Sequence, residues 1–227
     1  MCGRYTFQPT EEFYRRFHIA NRLDGLVARY NIVPGQMVPV IISLQQVVLM
    51  RWGLIPRWAK EEKTSYNKEE KTSYKMINAR METLTQRPVF RSLLAANRCM
   101  IPASGYYEWK AEARGGKTPY YIHPTNHEFF AFAGLYDVWT NPKGEDVYTF
   151  TIITKDSDGV VARLHNRMPV ILDRDLEDAW LDPAITKADE VLDILERSAG
   201  VTLEAYPVSR MVNRPSVDSE ALIQRLA

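Results

Sequence analysis

Residues 98–154 read RCMIPASGYYEWKAEARGGKTPYYIHPTNHEFFAFAGLYDVWTNPKGEDVYTFTIIT, and this stretch decides the fold. Runs rich in β-branched and aromatic residues follow one another at 98–102, 106–110, 120–123, 129–139 and 147–154. Such runs suit a pleated, half-buried surface, whereas Gly115-Gly116 and Asn141-Pro142-Lys143-Gly144 between them carry turn chemistry. Strand therefore follows strand, without the helical crossovers that a parallel sheet needs. Upstream, 37–43 and 47–54 add two more strands joined by a tight connection, and 30–35 reads as a turn-rich stretch. Helical patterns sit outside this block. They fall at 10–17, with Thr10 as N-cap and acids in the first turn, at 89–97 after Arg87-Pro88, and at 156–164, 173–181 and 186–198. The last of these has Thr186 and Asp189 near a capping arrangement and Gly200 just past its end. Val170–Leu172 is expected to be a brief strand, 203–208 a last strand, and a C-terminal helix is expected from about Ser219. The pattern predicts one α+β domain over residues 1–227. Its centre is a curled, barrel-like, mostly antiparallel sheet surrounded by short helices.

Composition narrows the chemistry. With 45% hydrophobic and 25% charged residues, the 227-residue chain has the make-up of a soluble globular protein with a sizeable core. The formal net charge is +1, so any nucleic-acid contact has to come from a local group of arginines, not from overall charge. Two cysteines, Cys2 and Cys99, give no disulfide framework and suit a reducing cytoplasm. Cys99, in an apolar strand, reads as a buried structural thiol. No apolar run is long enough to span a membrane. Neither a metal-ligand spacing nor a glycine-rich phosphate loop is present, so no cofactor and no metal is expected. Residues 61–66 recur at 69–74, a polar eight-residue tandem duplication that reads as a lengthened loop over 61–75.

The chain opens Met1-Cys2-Gly3-Arg4. Methionine aminopeptidases remove an initiator that precedes a small side chain. Removal would leave Cys2 with an α-amine titrating at roughly 7.7–8.0 beside a thiol near roughly 8.5. A 1,2-aminothiol condenses with an aldehyde to a Schiff base, which the thiol then closes to a thiazolidine. The plainer alternative is a small residue that happens to follow the initiator, and the dipeptide alone does not choose between the two.

Further segments join Cys2. They are Tyr30-Asn31-Ile32-Val33-Pro34-Gly35, Arg51-Trp52-Gly53-Leu54-Ile55-Pro56, Met76-Ile77-Asn78-Ala79-Arg80-Met81-Glu82-Thr83, Gly105-Tyr106-Tyr107-Glu108-Trp109-Lys110, Leu164-His165-Asn166-Arg167-Met168-Pro169-Val170 and Pro207-Val208-Ser209-Arg210-Met211-Val212-Asn213. In this order and spacing the chain resembles the SRAP (SOS response-associated peptidase) family from Cys2 to about Asn213. The 61–75 segment departs from the family pattern by about one eight-residue unit.

The resemblance implies recognition of abasic sites in single-stranded DNA, with a covalent thiazolidine DNA–protein cross-link through Cys2 after removal of Met1. It also implies AP-lyase and autopeptidase-type activity. Cys2 would supply both nucleophiles. His165 would act as general acid or base, the alternative being a packed or capping histidine. Glu108, in an aromatic strand, would hold or shuttle the proton of the Cys2 amine, the alternative being a strand-face ion pair. Asn78 would hydrogen-bond near the reacting sugar or the Cys2 amine. Arg4, Arg80 and Arg167, with Arg51 and Arg210 as further contacts, would meet phosphates. Trp52, Trp58, Trp109 and Tyr107 would stack on bases beside the lesion, with core packing an equal alternative for each. Pro34-Gly35 would shape the groove wall. The expected partner is single-stranded DNA bearing abasic sites, bound by a monomer in the cytoplasm that is nucleoid-associated when on damaged DNA. Two other classes compete. One is an N-terminal-nucleophile amidohydrolase of the glutamine amidotransferase type, and the other is a non-covalent single-strand binding module.

Overall fold

A computed structural model describes residues 2–60, 76–126, 128–198 and 201–226. Twelve strands and four α-helices are present among them. The strands are β1 (Tyr5–Phe7), β2 (Arg29–Ile32), β3 (Met37–Ser43), β4 (Gln46–Trp52), β5 (Asn78–Arg80), β6 (Arg98–Ala103), β7 (Gly105–Ala111), β8 (Lys117–Pro124), β9 (Phe130–Thr140), β10 (Asp146–Asp156), β11 (Arg167–Pro169) and β12 (Leu203–Pro207). The helices are α1 (Glu11–Arg16), α2 (Pro88–Leu94), α3 (Arg174–Leu181) and α4 (Ala188–Arg197).

The expected barrel is there. Strands β10, β4, β3, β6 and β9 pair in that order, and β9 pairs back onto β10 to close the ring. Closure removes the exposed edges that an open sheet would leave. The barrel is mixed, because β10 runs parallel to β4 and, further along, to β5. Gly134 on β9 permits the closure. A Cβ there would come within 2.4 Å of Ile101 Cδ1 and 2.8 Å of the Thr151 carbonyl across the ring. A second sheet, β12-β8-β7-β1-β2, is antiparallel throughout and packs against the barrel. Because side chains alternate along a strand, β7 has two working faces. Tyr106 joins the main core, whereas Tyr107 and Trp109 meet a smaller cluster built with the C-terminal residues Val208, Val212 and Leu222.

Several local expectations needed correction. Residues 156–164 form no α-helix, because β10 runs on to Asp156 and only Val161–Arg163 makes a 3-10 turn. The brief strand lies at Arg167–Pro169, with only an isolated bridge at Ile171. The C-terminal segment makes a 3-10 turn at Glu220–Ile223 instead of an α-helix. Neither Thr10 nor the Thr186/Asp189 pair caps its helix through a side chain. The 61–75 duplication, Met1 and Gly200 lie outside the described residues.

Arg98, the first residue of the deciding stretch, is buried and ties the helices to the barrel. Its guanidinium donates to the carbonyls of Leu94 at 2.5 Å and Ala95 at 3.0 Å near the end of α2, and to Trp180 and Asp182, each at 2.6 Å, at the end of α3. A cation at two helix C-termini meets carbonyls that the helices leave unpaired. Arg98→Ala is expected to destabilise the protein by about 3–5 kcal/mol, since several buried carbonyls lose a charged donor at once. Urea unfolding of the variant checks it, and a loss below about 1 kcal/mol would contradict the role given to this side chain.

Candidate active site

Cys2 lies just ahead of β1 and is fully buried. The Arg4 N–H hydrogen-bonds its sulfur. Asn78, the first residue of β5, donates from Nδ2 to the Cys2 carbonyl at 2.9 Å. The parallel pairing of β5 with β10, Asn78 opposite Ile152, delivers that amide to the site. Glu108 shares a face of β7 with Tyr106 and is buried, with 2% exposure. Burial pushes its carboxyl above the usual range, against the pull of a charge on His165. Burial likewise pushes the Cys2 thiol well up, and the charge of Glu108 adds to the rise. Glu108 thus stands electrostatically between Cys2 and His165.

His165 is half-buried and follows the 3-10 turn at Val161–Arg163. Its amide donates to the Val161 carbonyl at 3.0 Å, and its carbonyl accepts from Ser157 Oγ at 2.6 Å. Ring atom Nδ1 lies 3.0 Å from the Arg167 amide, which can donate to it, and 3.2 Å from the Arg167 carbonyl. An accepting Nδ1 places the proton of the neutral ring on Nε2. The four expected chemical groups therefore converge: Cys2 and Asn78 by a direct hydrogen bond, Cys2 with Glu108 and Glu108 with His165 through their charges.

The arginines divide. Arg80 is exposed at the end of β5, and Arg210 is exposed at the start of the 3-10 turn Arg210–Asn213. Arg51 is half-buried on β4. Arg167 is held by carboxylates. It donates to Glu82 at 2.7 and 3.0 Å, to Asp156 at 2.6 Å and to the Thr154 carbonyl at 2.7 Å. The guanidinium of Arg4 turns to the outer face of the second sheet. It donates to Asn31 Oδ1 at 2.8 Å and to the Val212 and Asn213 carbonyls, and it stacks over Trp109. In this arrangement Arg4 is a clamp on the C-terminal segment and offers no open fork to a phosphate.

The aromatic residues divide in the same way. Trp52 is 1% exposed, donates from Nε1 to the Ile77 carbonyl and stacks on Phe150, so it fills the core and has no face for a base. Tyr107 is buried and donates to the Tyr30 carbonyl, and Trp109 donates to Asn213 Oδ1 at 2.8 Å. Trp58, by contrast, is 72% exposed. Its loop is fixed on both sides. Arg57 bonds Asp137 through its amide and guanidinium, and Trp139 Nε1 donates to the Ala59 carbonyl at 2.7 Å. A large apolar ring is thus presented to solvent on a pinned loop. Pro34-Gly35 forms the turn between β2 and β3, with Gly35 at φ 91° and its amide on the Trp52 carbonyl.

The residue-by-residue reading missed Asn31 as a structural hub. It is fully buried, accepts from Arg4, and donates to the carbonyls of Val212, Arg214 and Val217. It also missed the hydroxyls of Tyr5 and Tyr106 and the carboxylate of Glu82. All but Tyr5 lie inside the motif segments quoted above, so the signal was position within a motif, not residue type. Among the described residues no group of His, Cys, Asp and Glu is placed to hold a metal ion, and no helix is long and apolar enough to cross a membrane.

An N-terminal cysteine set against a buried glutamate, an asparagine and a histidine on a closed β-barrel defines a class of protein. Residues 1–215 match the family model of the SOS response associated peptidases (SRAP), and the chain belongs to that family. It is similar to the abasic site processing protein YoqW of Bacillus subtilis (strain 168), with 41% identity over 230 residues covering 99% of each chain. It is 35% identical over 216 residues to the abasic site processing protein HMCES of Gallus gallus, covering 81% of this chain and 62% of that one. A crystal structure of a Bacteroides thetaiotaomicron protein superposes with a TM-score of 0.85 at 27% identity, with full coverage of both chains.

Burial of Glu108 has a consequence for stability. Its folded-state pKa lies above the unfolded value, so the folded state is favoured fully below the unfolded value and loses that support as pH rises through the folded one. Glu108→Gln is therefore expected to raise the melting temperature at pH 7 to 8 and to leave it nearly unchanged at pH 4, by roughly 2–4 °C per kcal/mol relieved. Thermal melts across pH check this, and an equal shift at both ends would contradict it.

Proposed function

We propose that this protein recognises abasic sites in single-stranded DNA and captures them covalently through Cys2. The observation that carries the reading is the meeting of Cys2, Asn78, Glu108 and His165 in a chain whose relatives are named abasic site processing proteins. The ring-opened abasic sugar carries an aldehyde at C1′. With Met1 removed, by an aminopeptidase or by the protein itself, the α-amine of Cys2 adds to that carbon, a proton is taken up and water leaves, giving a protonated Schiff base whose nitrogen keeps its N–H through ring closure. The thiol then adds to the same carbon. The S–C bond forms, the C=N electron pair returns to nitrogen, and the S–H proton passes to the Glu108 carboxylate. Because burial and Glu108 both keep the sulfur protonated, the amine attacks first and the sulfur second.

His165 serves ring opening. A proton carried on Nε2 would be the one passed to the sugar oxygen while Nδ1 is held at Arg167. Asn78 fixes the Cys2 carbonyl and so the direction of its amine. The same Schiff base can lose its C2′ proton and eliminate the 3′-phosphate, which is AP-lyase chemistry, and ring closure by the thiol competes with that loss. Arg80 and Arg210 are the exposed cations for phosphate contact, and Trp58 is the exposed ring for a base.

Mature protein mixed with an abasic single-stranded oligonucleotide is expected to give a band that survives heat and detergent. Its mass should equal protein plus DNA less one water, and Cys2→Ala should give none. Mature protein that leaves the oligonucleotide unmodified would sink the reading. Activity retained by Cys2→Ala would favour non-covalent binding, and glutaminase activity of the mature protein would favour an amidohydrolase. Arg80→Ala is expected to weaken binding of intact oligonucleotides while lowering the slope of log affinity against log salt by about 1. Trp58→Ala is expected to cost about 1–3 kcal/mol of binding with no change in that slope. Fluorescence anisotropy over a salt series reads both.

A further inference from the structure

Two hydroxyls at the centre of the protein are unaccounted for by this scheme. Tyr5 on β1 and Tyr106 on β7 stand directly opposite one another across the strand pair. Both rings pack edge-on against Phe132 of the barrel, with centroids 5.9 Å away in each case. Both residues are buried, at 1% and 0% exposure, and neither hydroxyl has a hydrogen-bond partner among the described residues. A buried polar group left unsatisfied costs roughly 1–3 kcal/mol, and phenylalanine would fill either position without that cost. Asn78 Oδ1 is a third buried atom without a partner among the described residues, on the amide whose nitrogen already holds Cys2.

The location gives these hydroxyls something to do. Cys2 lies three residues before Tyr5, and Glu108 lies two residues after Tyr106 on the same face of β7. Burial raises both tyrosines well above their usual range, and a negative charge on Cys2 raises each of them further. That coupling places the sulfur and the two hydroxyls within one another's field. The other charges acting on the pair are Glu108 and Asp158 at Tyr106 and Arg29 at Tyr5. Among the described residues, the backbone N–H of Arg4 supports the sulfur against burial and the charge of Glu108.

We propose that the hydroxyls of Tyr5 and Tyr106 are positioning donors for the Cys2 sulfur, stabilising the negative charge that develops on it as the thiol closes the thiazolidine ring. This rests on the function proposed above. In the closing step the S–H proton goes to Glu108, the S–C bond forms, and the C=N pair returns to nitrogen. The hydroxyls keep their own protons and lend hydrogen bonds only while the sulfur carries charge. They act on the second step and leave the amine's attack untouched. They also bias the Schiff base toward closure and away from elimination.

The test uses Tyr5→Phe, Tyr106→Phe and the double variant of mature protein. Borohydride reduces a Schiff base to a stable secondary amine, so quenching with and without it separates the first step from ring closure. The variants are expected to melt at or above the wild-type temperature, bind intact oligonucleotides equally and form the reducible intermediate at the wild-type rate. Ring closure should slow roughly tenfold or more, with a larger share of strand cleavage, as befits lost hydrogen bonds to a charged atom. A second readout needs no DNA. Iodoacetamide alkylation of Cys2, scored by peptide mass apart from Cys99, should shift its pH profile upward in the variants. Closure rates and alkylation profiles equal to wild type would overturn the proposal. If wild type forms no cross-link yet the alkylation profiles still shift, the abasic-site reading fails and the role of the hydroxyls stands.

Discussion

The site depends on holding the first residues of the chain still. An N-terminus is ordinarily among the least ordered parts of a protein. Here it is fixed from several sides. Asn78 bonds the Cys2 carbonyl from 76 residues away, the Tyr107 amide bonds the Arg4 carbonyl, and the Arg4 guanidinium reaches the carbonyl of Val212, 208 residues away. Asn31 locks the same C-terminal segment with three further donations. These are long loops to close, and each contact is supplied by a different part of the sequence. No local fragment can contain the site, and it exists only once the second sheet and the C-terminal segment have docked on the barrel. The pleat of β7 makes this possible, with one face given to the chemistry and the other to the segment that secures it.

The same arrangement carries an energetic penalty. A carboxyl and a thiol are both buried, within reach of each other's charge, and both are displaced upward by burial. For each, burial outweighs the groups that favour the ion, so the pair is suited to passing a proton and poorly suited to stability. Aromatic packing on the inner face supplies compensation. Tyr5, Trp52, Tyr106, Phe130 and Phe132 form a continuous set of edge-on and tilted contacts around it. Natural proteins tolerate such local losses where function needs them.

Much of this was legible from residues and their order, and the failures have physical causes. The long strands of the barrel showed through composition because each is half-buried and bounded by turn residues. Strands β1, β2 and β5 did not, since three or four residues carry no readable period and their existence is decided by the partners they meet. The 156–164 helix failed because pairing with β11 carries β10 on to Asp156, and only Val161–Arg163 of the remainder turns, as a 3-10 helix. Motif order singled out Cys2, Asn78, Glu108 and His165, which the fold brings near one another. The sidedness of Arg4 and Trp52 was not, because proximity to Cys2 along the chain says nothing about which face of a sheet a side chain takes. Arg4 is two residues from Cys2 and nonetheless serves the opposite face.

The arginines also bear on how a near-neutral protein would hold DNA under the proposed function. Arg167 is already bonded to two carboxylates and a carbonyl, with its side chain only 11% exposed. A phosphate arriving there exchanges one anionic acceptor for another. Such an exchange yields little net affinity, but it fixes orientation, because the guanidinium fork is already aligned. The Arg167 amide meanwhile holds Nδ1 of His165. A displacement at this residue's side chain is therefore linked through its backbone to the histidine. Under that proposal affinity would fall instead to exposed side chains such as Arg80 and Trp58. Under the proposed function, binding strength and alignment of the reacting group would thus fall to different residues. That division would suit the proposed reaction, in which intact strands are bound weakly and capture occurs only where a base is missing.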